Sequence, residues 1–297
     1  MLHDQASPAD KRAAFRAGLA SGQLLRLPGA FNALSALLIQ RHQFEGVYIS
    51  GAVISAGLGL PDIGLTTLSE VAGQAQQIAR VTRLPSLADA DTGFGEPMNV
   101  ARTVQVLEDA GLAGMHIEDQ VNPKRCGHLD GKDVVSRDSA VRRITAAVAA
   151  RRDPGFVIAA RTDAAAVAGI DEAIDRAKAY VDCGADLIFP EAMTGAADIE
   201  RFRAAIDAPI LANMTEFGKS ELLDTTALAS LGVNVVIYPV TLLRLAMHAA
   251  DAGLAEIARR GTQEGLQDRM QHRRDLYDLL DYESYGTFDD SIYNFRV

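Results

Sequence analysis

The chain has 297 residues, 48% hydrophobic and 23% charged, which is globular composition with room for one large domain or two small ones. A net charge of −10, from 29 Lys and Arg against 39 Asp and Glu, argues against nonspecific partners such as nucleic acid or an anionic membrane. The two cysteines, Cys126 and Cys183, point to a reducing compartment, the cytoplasm, rather than a disulfide framework. No apolar run approaches the roughly 18 residues of a membrane span, and the start, Met1-Leu-His-Asp-Gln-Ala-Ser-Pro8, lacks the basic and apolar regions of a signal peptide.

Residues 8–20 read as an N-terminal helix, with Ser7 as N-cap and Pro8 at the first helical position. Short apolar runs then follow at 24–27, 46–49, 84–88, 114–117, 156–160, 186–189, 209–212 and 233–237. Stretches with helical spacing alternate with them at 33–41, 68–81, 100–110, 139–150, 170–181, 197–206, 226–231 and 242–252. Several units end a helix at Gly and run straight into a strand, as in Cys183-Gly-Ala-Asp-Leu-Ile-Phe-Pro-Glu191. Repeated strand–helix units imply parallel strands, and eight of them over some 250 residues fit an α/β (β/α)8 TIM barrel better than an open doubly wound sheet. Gly57-Leu-Gly-Leu-Pro61 lacks the third glycine and the context of a dinucleotide fingerprint. From about residue 263 the chain reads as a charged C-terminal extension, helical over 269–280 with an aromatic, acidic end. Without a linker or low-complexity segment, residues 1–297 read as a single domain.

In such a barrel the active site lies at the C-terminal ends of the strands, and those ends are polar. The second strand ends at Tyr48 and Ser50, the third at Asp89 and Asp91, and the fourth at His116, Glu118 and Asp119. Arg161 and Asp163 follow the fifth, Glu191 the sixth, Asn213 and Thr215 the seventh, and Tyr238 the eighth, with Arg244 in the helix beyond. Asp89 and Asp91 share a face if both are in strand conformation. Two such carboxylates repel unless a cation joins them, and with Glu118, directly or through water, they suggest Mg²⁺ or Mn²⁺. The alternative is an Asp pair that caps the helix after Gly93-Phe-Gly-Glu-Pro97. Arg161, Arg244 and the Lys124-Arg125 pair point to an anionic small molecule with several carboxylates or a phosphate. Arg273, alone in the tail, reads as a surface ion pair, and His116 as an orienting or core group. No lysine lies in a predicted strand, which disfavours a Schiff-base aldolase and favours a metal-assisted reaction.

The stretch from Glu118 to His128 is the other marked feature. It holds acids, Lys124, Arg125, Cys126 and His128 with no apolar periodicity, so it reads as a loop that carries chemistry. Basic neighbours favour the thiolate of Cys126, whereas Cys183, beside Gly184 at a helix end, reads as a buried small apolar residue.

Lys124-Arg-Cys-Gly-His128, preceded by Asp89-Ala-Asp-Thr-Gly-Phe-Gly95 and His116-Ile-Glu-Asp119, resembles the isocitrate lyase/phosphoenolpyruvate mutase superfamily, and within it the 2-methylisocitrate lyase family. The resemblance runs nearly end to end, through Tyr48-Ile-Ser-Gly-Ala52, Gly59-Leu-Pro-Asp62, Ala160-Arg-Thr-Asp163 and Ala212-Asn-Met-Thr-Glu-Phe-Gly218. The cysteine motif is specific to the lyase branch. The resemblance implies an eighth helix swapped between paired subunits, a homotetramer and Mg²⁺ as cofactor. It also implies retro-aldol cleavage of the tricarboxylate 2-methylisocitrate to pyruvate and succinate, in propionate catabolism through the methylcitrate cycle. By the same resemblance Asp89 and Asp91 hold the metal, with Glu118 acting through water. Ser50, Gly51, Ala52, Lys124, Gly127, His128, Arg161, Glu191, Asn213, Thr215, Arg244 and Arg273 bind substrate. Cys126 is the catalytic acid/base, and Tyr48 or a metal-bound water takes the hydroxyl proton. Ala52 stands where many members have Gly, and Leu129-Asp-Gly-Lys132 varies within the family. Isocitrate lyases, 2,3-dimethylmalate lyases and oxaloacetate hydrolases are the alternatives. Phe189 and Ile237 are the expected walls of a pocket for the substrate methyl group.

Overall fold

The computed structural model describes residues 6–125, 127 and 131–293. The first helix, α1 (Pro8–Ala20), starts as the sequence predicts: Ser7 Oγ accepts the Asp10 N–H, and the Asp10 carboxylate accepts the Ser7 N–H. There follow β1 (Leu25–Pro28), α2 (Ala33–Arg41), β2 (Val47–Ile49), α3 (Gly51–Gly57), α4 (Leu68–Ala79), β3 (Ser86–Asp89), α5 (Pro97–Asp109) and β4 (Gly114–Glu118). The second half runs α6 (Arg137–Ala150), β5 (Val157–Thr162), α7 (Ala164–Ala168), α8 (Ile170–Asp182), β6 (Leu187–Pro190), α9 (Ala196–Ala205), β7 (Leu211–Asn213), α10 (Thr225–Ser230), β8 (Val235–Tyr238) and α11 (Thr241–Arg260). A 3₁₀ turn (Glu264–Arg269), α12 (Arg273–Leu279) and α13 (Tyr282–Tyr293) complete the described chain.

All strand pairings are parallel, β2 to β6 in sequence order and β7–β8–β1 beside them. The bridges Gly29–Tyr48 and Ile188–Ile210 join the two sets, closing the expected barrel. Two cores result from the alternation of side chains along each strand. Leu27, Leu87, Val157, Ala159, Leu187, Leu211 and Val235 fill the barrel, and Phe15 and Leu19 of α1 join them from below. Ile49, Ala88, Met115, Ile117, Ile158, Ala160, Ile188 and Val236 face outward under the helices.

The polar face of α1 closes the N-terminal mouth. Lys11 donates to the Ala79 carbonyl at the end of α4, and Arg12 to the Glu108 and Leu112 carbonyls around the end of α5. Cations on C-terminal carbonyls satisfy groups that a helix end leaves unbonded. Arg12 also pairs with Asp153 at 2.7 Å, and Arg16 with Asp186 at 2.7 Å.

The observed elements differ from the predicted ones in ways that matter for the site. Strands β3 to β8 extend one or two residues past their apolar runs, so that Asp89, Glu118, Arg161 and Asn213 lie within the ladder, opposite His116, Arg161, Phe189 and Ile237 respectively. Ladder hydrogen bonds thus fix the backbone of groups the sequence placed beyond the strands. Gly51 and Ala52 open a short helix rather than a loop. The tail helix begins at Arg273, not at residue 269, and the aromatic end is itself helical. α11 is longer than the predicted 242–252 and has no buried residue, with Leu245, Met247, Leu254 and Ile257 exposed. Between α2 and α10 a groove lined by Leu38, Ile39, Phe44, Tyr238 and Leu242 stays open. Among the described residues no helix is long and apolar enough to cross a membrane.

Candidate active site

At the C-terminal mouth of the barrel a polar cavity of about 100 Å³ is lined by Tyr48, Ser50, Ala52, Asp62, Asp89, Lys124, Gly127, Arg161, Phe189, Glu191, Asn213, Thr215 and Arg244. Strands β2, β3, β5, β6 and β7 thereby deliver a group directly or just past their ends, and the loop after β4 delivers Lys124 and Gly127. Asp91 lies behind Lys124, and Glu118 behind Arg161. Arg273, the first residue of the exposed α12, is not brought to this cavity within the chain. Cys126 and His128 lie outside the described residues. Phe189 lines the cavity, whereas Ile237 is buried within the barrel.

Asp89 and Asp91 meet by a different route from the one the spacing suggests. Asp89 ends β3, but Asp91 has φ 45°, in the left-handed region that Asp tolerates better than most residues. That turn, not a shared strand face, brings the pair together, and the Asp91 N–H donates to Asp89 Oδ1 at 3.0 Å. The Gly51 N–H donates to Asp89 Oδ2 at 3.1 Å. A Cβ at Gly51 would stand 3.0 Å from that oxygen, so glycine here lets the backbone approach the carboxylate. Burial and the negative charge of Asp89 push the Asp91 carboxyl up to about 6, against the pull of Lys124.

Lys124 supplies the nearest positive charge. Its side chain is 4% exposed, pairs with Asp62 and stands 2.8 Å from Asp91 Oδ1. Burial alone would lower its pKa, but Glu118, Asp89, Asp91 and Asp62 together hold it well above the ordinary lysine value. Asp62 is thus a member of the site that the strand-end pattern did not reveal, because it sits in the loop before α4. Gln120 fixes the base of the Lys124 loop, donating to the Arg125 carbonyl and accepting the Arg125 N–H, both at 2.8 Å.

Across the cavity Arg161 is buried among acids. It meets Glu118 and Glu191 at 3.2 Å and makes two hydrogen bonds to Asp163. Its guanidinium also stands 5.2 Å from the Phe189 ring centre. Lys132 pairs with Asp163 at 2.8 Å and donates to the Gly127 carbonyl. A Cβ on Gly127 would collide with Glu191 and Arg161. Asn213 Nδ2 approaches Glu191 at 3.4 Å. Arg244 donates to the backbone and carboxylate of Glu216 and lies over Phe217.

Tyr48 and His116 form the floor. Tyr48 Oη and His116 Nε2 are 2.8 Å apart, and the imidazole also stands edge-on to Phe189. Burial pushes His116 down to about 4, so it is neutral near pH 7. Burial, then Asp89, holds the Tyr48 phenol well above its ordinary value. Asp119, by contrast, is structural: Thr162, Tyr180, Arg176 and the Asp163 N–H all donate to its carboxylate.

The donor set fits a hard divalent cation. Asp91 Oδ1 and Glu118 Oε1 are buried without a hydrogen-bond partner, Lys124 being near Asp91 Oδ1 but not aligned on it. Burial, with Asp163 and Asp89 adding to it, raises Glu118 well above the ordinary range even with Arg161 and Lys124 near it. Among the described residues no three acidic or imidazole groups are already gathered as a closed cage. Two carboxylates with open positions suit Mg²⁺, which keeps waters and substrate oxygens among its ligands.

Comparison with known proteins agrees with this chemistry. The phosphoenolpyruvate phosphomutase family model matches residues 15–258. A probable 2-methylisocitrate lyase 2 of Corynebacterium glutamicum is 62% identical, covering 98% of this chain and 95% of its own length. Other proteins named 2-methylisocitrate lyase range down to 43% identity over 94% of the chain. Among solved structures, oxaloacetate acetylhydrolase bound to 3,3-difluorooxalacetate superposes with a TM-score of 0.92 at 33% identity, covering 98% of this chain and 100% of its own. Phosphonopyruvate hydrolase in complex with oxalate and Mg²⁺ has a TM-score of 0.87 at 30% identity, covering 95% and 99%.

Proposed function

This chain belongs to the phosphoenolpyruvate mutase/isocitrate lyase superfamily and is a carbon–carbon lyase, and we propose that it cleaves 2-methylisocitrate to pyruvate and succinate with Mg²⁺, or Mn²⁺, as cofactor. One observation carries the reading: the buried Asp89–Asp91 pair stands at a cavity that Asp89 and Lys124 share with Arg161, Asn213 and Arg244, with Asp91 just behind Lys124. An acidic pair that needs a cation, opposite groups that take carboxylates, is what a polycarboxylate 2-hydroxy acid requires. Names carried by relatives, 2-methylisocitrate lyase above all, support the substrate.

Asp89 and Asp91 would hold the metal, with Glu118 reached through water, and the bound ion would supply Lewis acidity toward the substrate hydroxyl and its neighbouring carboxylate. Tyr48 Oη takes the hydroxyl proton as its own passes to His116 Nε2, and the resulting charge faces Asp89 Oδ1 at 3.6 Å. The C2–C3 bonding pair leaves with C3, and the C2 alkoxide becomes the carbonyl of pyruvate. Arg161, Arg244, Asn213 and Thr215 stabilise the negative charge that spreads over the departing carboxylate. The Cys126 thiol donates the proton that completes succinate. Gly127 and Lys124, packed against Glu191 and Asp91, close the cavity from above and exclude water. Ser50, Gly51 and Ala52 orient the substrate from the start of α3, His128 from the loop, and Phe189 contacts its methyl group.

The same reading assigns the protein to propionate breakdown and the methylcitrate cycle, in a reducing cytoplasm. It also makes it a homotetramer in which α11 crosses to a partner subunit. That assembly is supported by the exposed Leu245, Met247, Leu254 and Ile257 and by the open groove between α2 and α10. Arg273, on the element after α11, would reach a cavity in the assembled enzyme. The test measures pyruvate and glyoxylate released from 2-methylisocitrate, isocitrate and 2,3-dimethylmalate. Pyruvate from 2-methylisocitrate should dominate; glyoxylate release at an equal or greater rate would refute the substrate assignment.

A further inference from the structure

On the outer side of β4, between the strand and α6, lies a second, small cavity whose walls include Glu118, Asp119, Arg143, Ile144, Arg161 and Tyr180. Its free space is about 10 Å³, the room that the centre of one water molecule needs. Arg143, from α6, is buried, yet among the described residues its Nε and Nη1 have no hydrogen-bond partner. Its Nη2 meets Glu96 at 3.2 Å, and Glu96 is 80% exposed. On the facing wall Glu118 Oε1 is also buried and unpartnered, while Glu118 Oε2 meets Arg161 at 3.2 Å. Asp119 is not the missing acceptor, because four donors already engage its carboxylate. Unpaired donors of a buried cation and an unpaired oxygen of a buried carboxylate, around a void of one-water size, are complementary.

We infer that this cavity holds one ordered water that accepts from Arg143 and donates to Glu118 Oε1, which makes Arg143 a positioning residue for the metal site. Glu118 is then gripped at both oxygens, by Arg161 from the barrel wall and by Arg143, through water, from the helix layer. A carboxylate fixed in this way keeps its orientation toward the metal's water shell, the role by which outer partners tune metal affinity. The inference rests on the proposed metal site.

The test measures Mn²⁺ affinity of the full-length enzyme by electron paramagnetic resonance titration, for the wild type, Arg143→Met, Arg143→Lys and Glu96→Gln. Arg143→Met should weaken Mn²⁺ binding by roughly 10- to 100-fold, with Arg143→Lys recovering part of the loss. Glu96→Gln, which removes only the exposed contact, should bind Mn²⁺ as the wild type does. Equal affinity in Arg143→Met and wild type, or an equal loss in Glu96→Gln, overturns the inference. Failure of the wild type to bind Mn²⁺ at all would instead overturn the metal site itself. A crystal structure of the wild type gives a readout independent of variant folding: a water bonded to both Arg143 and Glu118 supports the bridge, and a dry cavity overturns it.

Discussion

The two mouths of the barrel are built from the same residue types to opposite ends. At the N-terminal mouth Arg12, Arg16 and Arg152 of the chain are matched to Asp153, Asp186, Glu108 and Asp109, and the remaining donors reach helix-end carbonyls. At the C-terminal mouth Asp89, Asp91, Glu118 and Glu191 crowd around Lys124 and Arg161, with Asp91 Oδ1 and Glu118 Oε1 unpartnered. Matched charges, buried at Arg12 and half-buried at Arg16, fasten α1 as a plug. The crowded ones await ligands: a cation at Asp89 and Asp91, an anionic substrate at Arg161 and Arg244, and the bridging water at Glu118 Oε1. The contrast teaches that charge count does not identify a site; the uncompensated lone pair does.

Substitutions should therefore separate activity from stability according to the mouth they strike. The largest effect belongs to Asp91→Asn, which should lower kcat by roughly 1,000-fold or more while raising the Tm of the metal-free protein, since burial and the charge of Asp89 disfavour the ionised Asp91 carboxylate even with Lys124 beside it. The sign with pH follows from the raised Asp91 value. Protonation stabilises the fold below about pH 4, and this contribution is lost as pH rises from 3.8 to about 6. In EDTA the Tm advantage of Asp91→Asn over the wild type should thus widen across that window and then level off. Tyr48→Phe should lower kcat by about 100- to 10,000-fold with little change in KM, as expected of a group that moves a proton. Parallel loss of kcat and a large rise in KM would make Tyr48 a binding group.

At the other mouth the pattern should invert. Arg12→Ala removes bonds to Leu112, Glu108 and Asp153 and should cost about 2–4 kcal/mol in chemical unfolding, with kcat of the folded protein within about twofold of the wild type. Asp153→Asn is the mildest change. Arg12 first, then the Gly155 N–H, holds Asp153 below the ordinary range, so its contribution is present above that range and is lost as pH falls through the lowered value. Being part-exposed, it should be worth less than about 1 kcal/mol.

Much of the barrel was legible because short apolar runs and Gly-terminated helices are local signals, and polar strand ends marked the correct mouth. What stayed hidden depends on contacts between distant segments. Gly51–Gly57 is a glycine-flanked, nearly all-apolar stretch, so no amphipathic contrast announced α3. Nothing in the sequence of α1 reveals which helix ends Lys11 and Arg12 will cap. Asp62 joined the site through Lys124, a partner 62 positions away. The Asp89–Asp91 pairing was expected for the wrong reason, strand periodicity, where a left-handed turn at Asp91 does the work. Lys124, read as part of a basic loop, is instead the buried counter-charge to Asp62 and Asp91.

The account stands on the acidic pair needing a cation to act on a polycarboxylate. Its most direct test is pyruvate release from 2-methylisocitrate by enzyme stripped with EDTA and then returned to excess Mg²⁺. The rate should vanish on stripping and recover with Mg²⁺; a stripped enzyme that keeps its full rate would contradict the account.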